Sequence, residues 1–402
     1  MKSLRAYQTE LDPNKVQRTA LLRHAGAARW AYNWGLKQKK AAREAGKPMP
    51  TAIDLHRQLN ALKKTECSWL YQASKCAPQA ALRHLDQAFQ HFFRRCRSGA
   101  KKKGYPKFKS RKRDGIGSFT LYGSIRVTAA TVQLPRLGEL RLKEHGYLPT
   151  QHVKILRATV SERAGRWFVA LQVEVEHPDP KPKEGAVLGI DLGVKYLMVL
   201  SDGTVFENPK ALDAAQQQLA RAQRTVARRC PGSANRRKAV RRVARLHYRI
   251  ACIRDDALHQ ATSAVMAKQP SVIGIESLNV AGMVKNHCLA RSIADASLAE
   301  LGRQLEYKAK WNGIEIVKAG PWFPSSKLCS ACGVVKAVFE LQERTYTCAE
   351  CGSSLDRDLN AAINLKHMAA SSAVAACGAG VRPGWPGNGR RSRNRTPDRT
   401  SS

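Results

Sequence analysis

Two cysteine pairs, Cys329-x-x-Cys332 and Cys348-x-x-Cys351, stand fifteen residues apart in the last quarter of the chain. Each pair places two thiolates on one tight turn, and a glycine follows each second cysteine, Gly333 and Gly352. Two such turns complete a tetrahedral four-thiolate site, so this segment is constrained to fold as paired knuckles around one ion. With every position filled by protein, the expected ion is a structural zinc. Four unrelated thiols, or a redox pair, are the competing readings; neither requires two copies at this spacing.

Directly behind the second knuckle comes "DRDLNAAINL", a helix beginning near Asp356 or Asp358. Acids favour a helix N-terminus with or without a metal. Residues two apart on a helix diverge by about 200°, so one acid faces any site while the other caps. Two further acids end otherwise apolar segments: Asp191 in "VLGIDLG" and Glu276 in "VIGIES". Singly, each reads as an acid at the solvent end of a strand. Together they suggest a shared cation site, because an ionised carboxylate in an apolar strand is costly unless compensated. Acids on two strands and a helix can hold a pair of magnesium or manganese ions about 3.5–4 Å apart that clamp a phosphodiester.

Charge narrows the partner. Lys and Arg total 69 against 31 acids, a net +38, which favours a polyanion. Eleven Lys or Arg and no acid lie between Arg94 and Arg113, with Tyr105 and Phe108 interleaved; Arg221 to Arg249 repeats the count. The first run is a solvated loop or a strand-tracking loop. No apolar run reaches the roughly 18 residues of a membrane span, and the N-terminus lacks a secretory core, so a cytoplasmic chain with reduced thiols and no membrane partner is expected.

Residues 15–96 read as helices, with Leu82, Leu85, Phe89, Phe92 and Phe93 on one stripe. Period-two alternation from about 117 to 176 predicts five or so short strands and a small β-barrel. "HPDPKPKEG" is a linker. Strands alternating with helices from 186 onward predict an α/β core. Past Leu365 the composition turns to Ala, Gly, Ser, Pro and Arg, read as a disordered basic tail.

"GIDLGVK", "IGIESLNV", "SSKLCSACG", "YTCAECG" and "DRDLNAAINL", in this order, resemble the TnpB family of insertion-sequence proteins, relatives of type V CRISPR effectors. "ARWAYNWGL" is similar to a helical segment of that family. The resemblance implies a multi-domain α/β fold with an RNase H-like, RuvC-type nuclease core (184–324 and 352–370) and a zinc ribbon insert (325–351). It further implies a wedge-type β-barrel (1–14 and 100–180) and a helical recognition lobe (15–99); the basic tail (371–402) takes no role from it. Asp191, Glu276 and Asp358 would be the catalytic acids holding two Mg or Mn ions, Asp358 being the acid two residues before the Asn of "NAA". Cys329, Cys332, Cys348 and Cys351 would hold the zinc. Arg344 matches a family position without an assigned role. The implied activity is transposition-associated, RNA-guided cleavage of double-stranded DNA beside a short flanking motif. The guide RNA would come from the transposon end, with a transposase encoded alongside. A non-cutting nucleic-acid-binding regulator of transposition is the alternative. An actin-like ATPase would share the Asp-Leu-Gly turn but leaves the charge unexplained and lacks a second Gly-rich phosphate loop.

Overall fold

The computed structural model describes residues 2–150, 153–176, 180–337 and 343–376, in two compact units, 1–179 with 215–250 and 180–214 with 251–402. The first unit opens with strand β1 (Lys2–Leu11). Asn14 and Gln17 then form a capping box, each side chain accepting from the other's backbone N–H at 2.9 Å, and start helix α1 (Lys15–Glu44). Thr51 and Asp54 start α2 (Ala52–Lys64) in the same way. Helix α3 (Cys76–Arg97) buries Leu82, Leu85 and Phe89 of the predicted stripe against α1, while Phe93 at its far end stays 41% exposed.

The basic segment after α3 is anchored. Tyr105 sits edge-on to Phe89 and Phe92 at 5.6 and 5.1 Å, and Lys40 lies over the Phe108 ring. Asn33 of α1 exchanges two 2.8 Å hydrogen bonds with the Lys109 backbone, and Arg29 donates to the Ile116 carbonyl. Ser110 caps the single turn α4 (Arg111–Asp114). A freely solvated loop would need none of these partners.

Six strands follow where five or so were expected: β2 (Ser118–Leu121), β3 (Arg126–Val127), β4 (Thr131–Leu134), β5 (Gly138–Arg141), β6 (Val153–Arg163) and β7 (Arg166–Glu176). They form two antiparallel sheets, β1-β7-β6-β2 and β3-β4-β5, bridged between Leu11 and Leu142. Leu121, Val160, Val169 and Val173 face the core that the helices share. Trp167, Val169, Leu171 and Val173 alternate into the core along β7, as a half-buried strand requires.

The second unit is built on the sheet β10-β9-β8-β11-β12, comprising β8 (Leu188–Leu192), β9 (Tyr196–Leu200), β10 (Val205–Glu207), β11 (Val272–Glu276) and β12 (Glu315–Ala319). Strands β8, β11 and β12 are parallel, β9 runs against β8, and β10 runs against β9. Helices α5 (Ala211–Ala227) and α6 (Ala234–Ala267), broken at Pro231-Gly232, carry the second basic run on their 215–250 portion, which belongs to the first unit. They are followed by α7 (Val280–Met283), α8 (Ala290–Ala296) and α9 (Leu298–Asn312), which ends at Gly313 in the left-handed region. Ile190, Ile273 and Ile275 bury one sheet face against Leu258 and Val265 of α6 and Leu301 and Leu305 of α9. The other face is covered by α10 (Arg357–Ala376), reached through the hairpin β13 (Thr345–Thr347) and β14 (Ser354–Asp356). The helix thus continues through 371–376, the start of the expected tail; residues 377–402 lie outside the described residues. Among the described residues no helix is long and apolar enough to cross a membrane.

Candidate active site and metal centre

Asp191 and Glu276 each stand two residues after a glycine, in Gly189-Ile190-Asp191 and Gly274-Ile275-Glu276. Alternation puts each acid on the face of its own glycine, opposite the buried isoleucine. Gly274 pairs with Gly189 and Ile275 with Ile190 in the parallel ladder, so the next step of the register sets Glu276 beside Asp191. Both acids lie at the C-terminal ends of adjacent central strands, where the strand beyond β8 reverses direction; open α/β sheets bind ligands at such a point.

The paired glycines do more than leave space. A Cβ on Gly189 would lie 1.9 Å from the Ala362 carbonyl oxygen and 2.4 Å from the Lys366 nitrogen, and one on Gly274 would lie 2.3 Å from the Leu365 oxygen. The backbone of α10 is therefore seated in a trough that only glycines provide. Asp358 is one helical turn before Ala362, and that turn carries it toward the strand ends.

Asp358 and Asp356 have different tasks. The Asp356 carboxylate accepts from the backbone N–H groups of Asp358 (2.9 Å) and Leu359 (3.2 Å), capping α10. Asp358 instead pairs with Arg357, whose guanidinium reaches it at 3.1 Å and also donates to the Glu343 carbonyl. Burial, then the charges of Glu276 and Asp358, push the Asp191 carboxyl up to about 8; Arg357 opposes this. The three sequence-predicted acids thus feel one another's charge at Asp191. A divalent cation relieves that repulsion, and a set of oxygen donors suits magnesium or manganese.

The four cysteines converge. Their sulfurs all lie within 4.8 Å of one another, with Cys329 to Cys351 at 3.7 Å and Cys332 to Cys348 at 3.6 Å. Tetrahedral zinc with bonds near 2.3 Å separates its sulfurs by about 3.8 Å, whereas a disulfide needs about 2.05 Å. The donor set fits a zinc ion. The two knuckles repeat one pattern: Cys329 and Cys348 each accept from the backbone N–H of Gly333 and Gly352, and both glycines have φ above +70°. Backbone N–H groups of Cys351 and Glu350 hold the Cys348 thiol down to about 7, toward the thiolate that a metal binds.

Sequence reasoning passed over the residues that join these two centres. On α10, Asn360 and Asn364 are buried and lie four residues apart on one face. Asn360 donates to the Leu328 carbonyl at 2.7 Å and accepts from the Ser330 N–H at 2.9 Å. Asn364 donates to the Ser325 and Leu328 carbonyls. The first knuckle is therefore clamped to the helix that carries Asp358. Through its side-chain hydroxyl Ser325 donates to a Glu276 carboxylate oxygen. The signal was in "DLNAAINL", as polar residues at i and i+4 within an apolar helix. Arg344, exposed between the knuckles, accepts from the Arg357 N–H through its carbonyl.

Three family models match: a "Probable transposase" domain, OrfB_IS605, at 170–287, a Cas12f1-like TNB domain at 299–365, and a helix-turn-helix domain at 1–48. A Streptomyces pristinaespiralis protein named "Putative RNA-guided DNA endonuclease" is 39% identical over 94% of this chain and 92% of its own length. InsQ of Escherichia coli K12, which carries the same designation, is 33% identical over 96% and 97%. In fold, the chain is similar to one in the "Cryo-EM structure of the Cas12f1-sgRNA-target DNA complex", with a TM-score of 0.50 at 16% identity, covering 87% of this chain and 82% of that one. With motifs, length and fold in agreement, this chain belongs to the TnpB family of insertion-sequence proteins.

Proposed function

We propose that this protein is an RNA-guided endonuclease that hydrolyses target DNA beside a short flanking motif. The reading is supported by the names of relatives that match nearly the whole chain. The sheet order β10-β9-β8-β11-β12 supports an RNase H-like core. The observation that carries the chemistry is the half-buried Asp191 carboxylate, raised to about 8 by burial and by Glu276 and Asp358. Charges assembled at that cost are assembled for a cation.

In this reading Asp191, Glu276 and Asp358 hold two divalent ions. When bound, magnesium or manganese ions stabilise the charge of a phosphodiester under attack and lower the pKa of a water nucleophile. The protein's own contribution is positional. Ser325 fixes one Glu276 oxygen, Asp356 caps α10, and Arg357 orients Asp358 while screening the trio. The four cysteines hold a structural zinc that keeps the first knuckle, and with it Ser325, in place. The two basic runs, Arg94–Arg113 and Arg221–Arg249, contact phosphates of guide and heteroduplex through shape rather than sequence.

Asp191→Ala is expected to retain the co-purifying RNA and to lose magnesium-dependent cleavage of a DNA matching that RNA. Cleavage by the variant at the wild-type rate would refute the acid assignment. If the wild-type protein binds RNA and target yet yields no product with magnesium or manganese, the non-cutting regulator replaces the nuclease. Metal analysis should find one zinc per chain.

A further inference from the structure

A concavity lies in the first unit, along α1. It encloses about 390 Å³ and is lined by Arg23, Arg29, Trp30, Asn33, Trp69 and Gln72. No acid lines it. Trp30 is nearly parallel to Trp34 (8°, centroids 6.1 Å apart) and edge-on to Trp69 (86°, 5.5 Å), so its ring is held in place. Trp69 remains 42% exposed. The side chains of Arg23 and Gln72 form no hydrogen bond or ion pair among the described residues. Two residues of the wall also anchor the basic segment, Asn33 through the Lys109 backbone and Arg29 through the Ile116 carbonyl. The cavity therefore opens beside the fixed run of cations that follows α3.

From this we infer that the cavity is a nucleotide site, taking one unpaired nucleobase against Trp30 and Trp69 while Arg23 meets its phosphate and Gln72 its polar edge. An aromatic face gives a flat π-surface that any base can stack on, and a guanidinium beside it adds charge for the adjoining phosphate. An aliphatic ligand finds only Ala27 and Ala73 here, and an acidic peptide has no use for an indole face. A strand whose phosphates follow Lys107 to Arg113 brings a base to this cavity because the same α1 residues support both. The inference rests on the nucleic-acid part of the proposed function and is independent of cutting.

The test is a titration of the full-length protein, in about 0.3 M salt to screen general attraction to +38. The probes are a ten-nucleotide oligouridylate, its deoxy counterpart and an abasic oligonucleotide of equal length. Stacking of one base predicts that Trp69→Ala weakens the base-bearing probe by roughly 5- to 150-fold, that Trp69→Phe largely restores it, and that the abasic probe binds weakly and ignores the substitution. Arg23→Ala should weaken all three. Preference for the ribo probe assigns the base to the guide RNA, and preference for the deoxy probe assigns it to a displaced DNA strand. Equal binding of the oligouridylate by wild type and Trp69→Ala, or equal binding of base-bearing and abasic probes, overturns the site. None of these probes can be cut at a guided target, so a failure of the nuclease reading leaves the result interpretable.

Discussion

Replacing Gly189 with alanine touches no acid, no cysteine and no nucleic-acid contact, yet it should disable the proposed catalytic centre. The new methyl would lie 1.9 Å from the Ala362 oxygen and 2.4 Å from the Lys366 nitrogen. Both are backbone atoms inside α10, so no side chain can rotate away. To restore ordinary contact the helix must retreat by roughly 1–1.5 Å, and Asp358 moves with it. Overpacking of this kind costs about 1–3 kcal/mol, and the backbone partners put the expectation near the upper end. For a unit of this size that is a fall in melting temperature of roughly 6–12 °C. A displacement near 1 Å in a reacting constellation lowers rate by about 100-fold. Single-turnover cleavage of a matched DNA, measured beside RNA binding and a thermal scan, reads all three quantities. Gly302 supplies the control: it lies within α9 in the same unit, a Cβ there meets nothing within 4 Å, and Gly302→Ala should raise the melting temperature. If Gly189→Ala cleaves within about twofold of wild type and melts at the wild-type temperature, then α10 is not seated as described and the argument that it positions Asp358 is wrong.

Three further outcomes follow from buried polar groups. Asn360→Ala leaves the Ser330 N–H without its partner and the Leu328 carbonyl with Asn364 alone, which costs about 1–3 kcal/mol and should speed zinc loss to a chelator, read by a colorimetric zinc indicator. Ser325→Ala frees a Glu276 oxygen; cleavage should fall and need a higher magnesium concentration at unchanged RNA affinity. His24 is buried as the neutral ring, with Nδ1–H donating to the Ala20 carbonyl and Nε2 accepting from the Ser74 N–H; burial lowers its pKa below the usual 6.5. Its contribution is complete above pH 6.5 and is lost as pH falls from there toward the folded value, with a slope approaching 1.4 kcal/mol per pH unit. Denaturant titrations of wild type and His24→Gln between pH 7 and 5 should differ by about one proton in slope.

Much of this was readable from the chain because it is local. A Cys-x-x-Cys-Gly turn needs only its own five residues, and the two turns of the ribbon state their geometry in spacing alone. Breaks at Gly46-Lys47-Pro48 and Pro231-Gly232, and the glycine after α9, mark helix ends for reasons of backbone freedom that no distant residue alters. The acid-bearing apolar segments stood out because carboxylates do not belong in such strands without compensation.

Other features depended on partners far along the chain. Whether the basic segment after α3 is loose was open in the sequence; Asn33, 76 residues from Lys109, holds it. The choice between Asp356 and Asp358 rests, in the fold, on which carboxylate is consumed by capping, and two hydrogen bonds consume Asp356. The bond from Asn360 to Leu328 spans 32 residues, and the glycine trough joins residues 189, 274 and 362 through strand register and helix packing. Composition and spacing could thus specify a metal knuckle, a helix end or an unusual acid, because each is a short-range consequence of side-chain chemistry. Which atoms meet within each unit, and so what the acids and asparagines of the second and the tryptophans of the first can do, was decided only when hydrophobic burial gathered those distant segments into two separate cores.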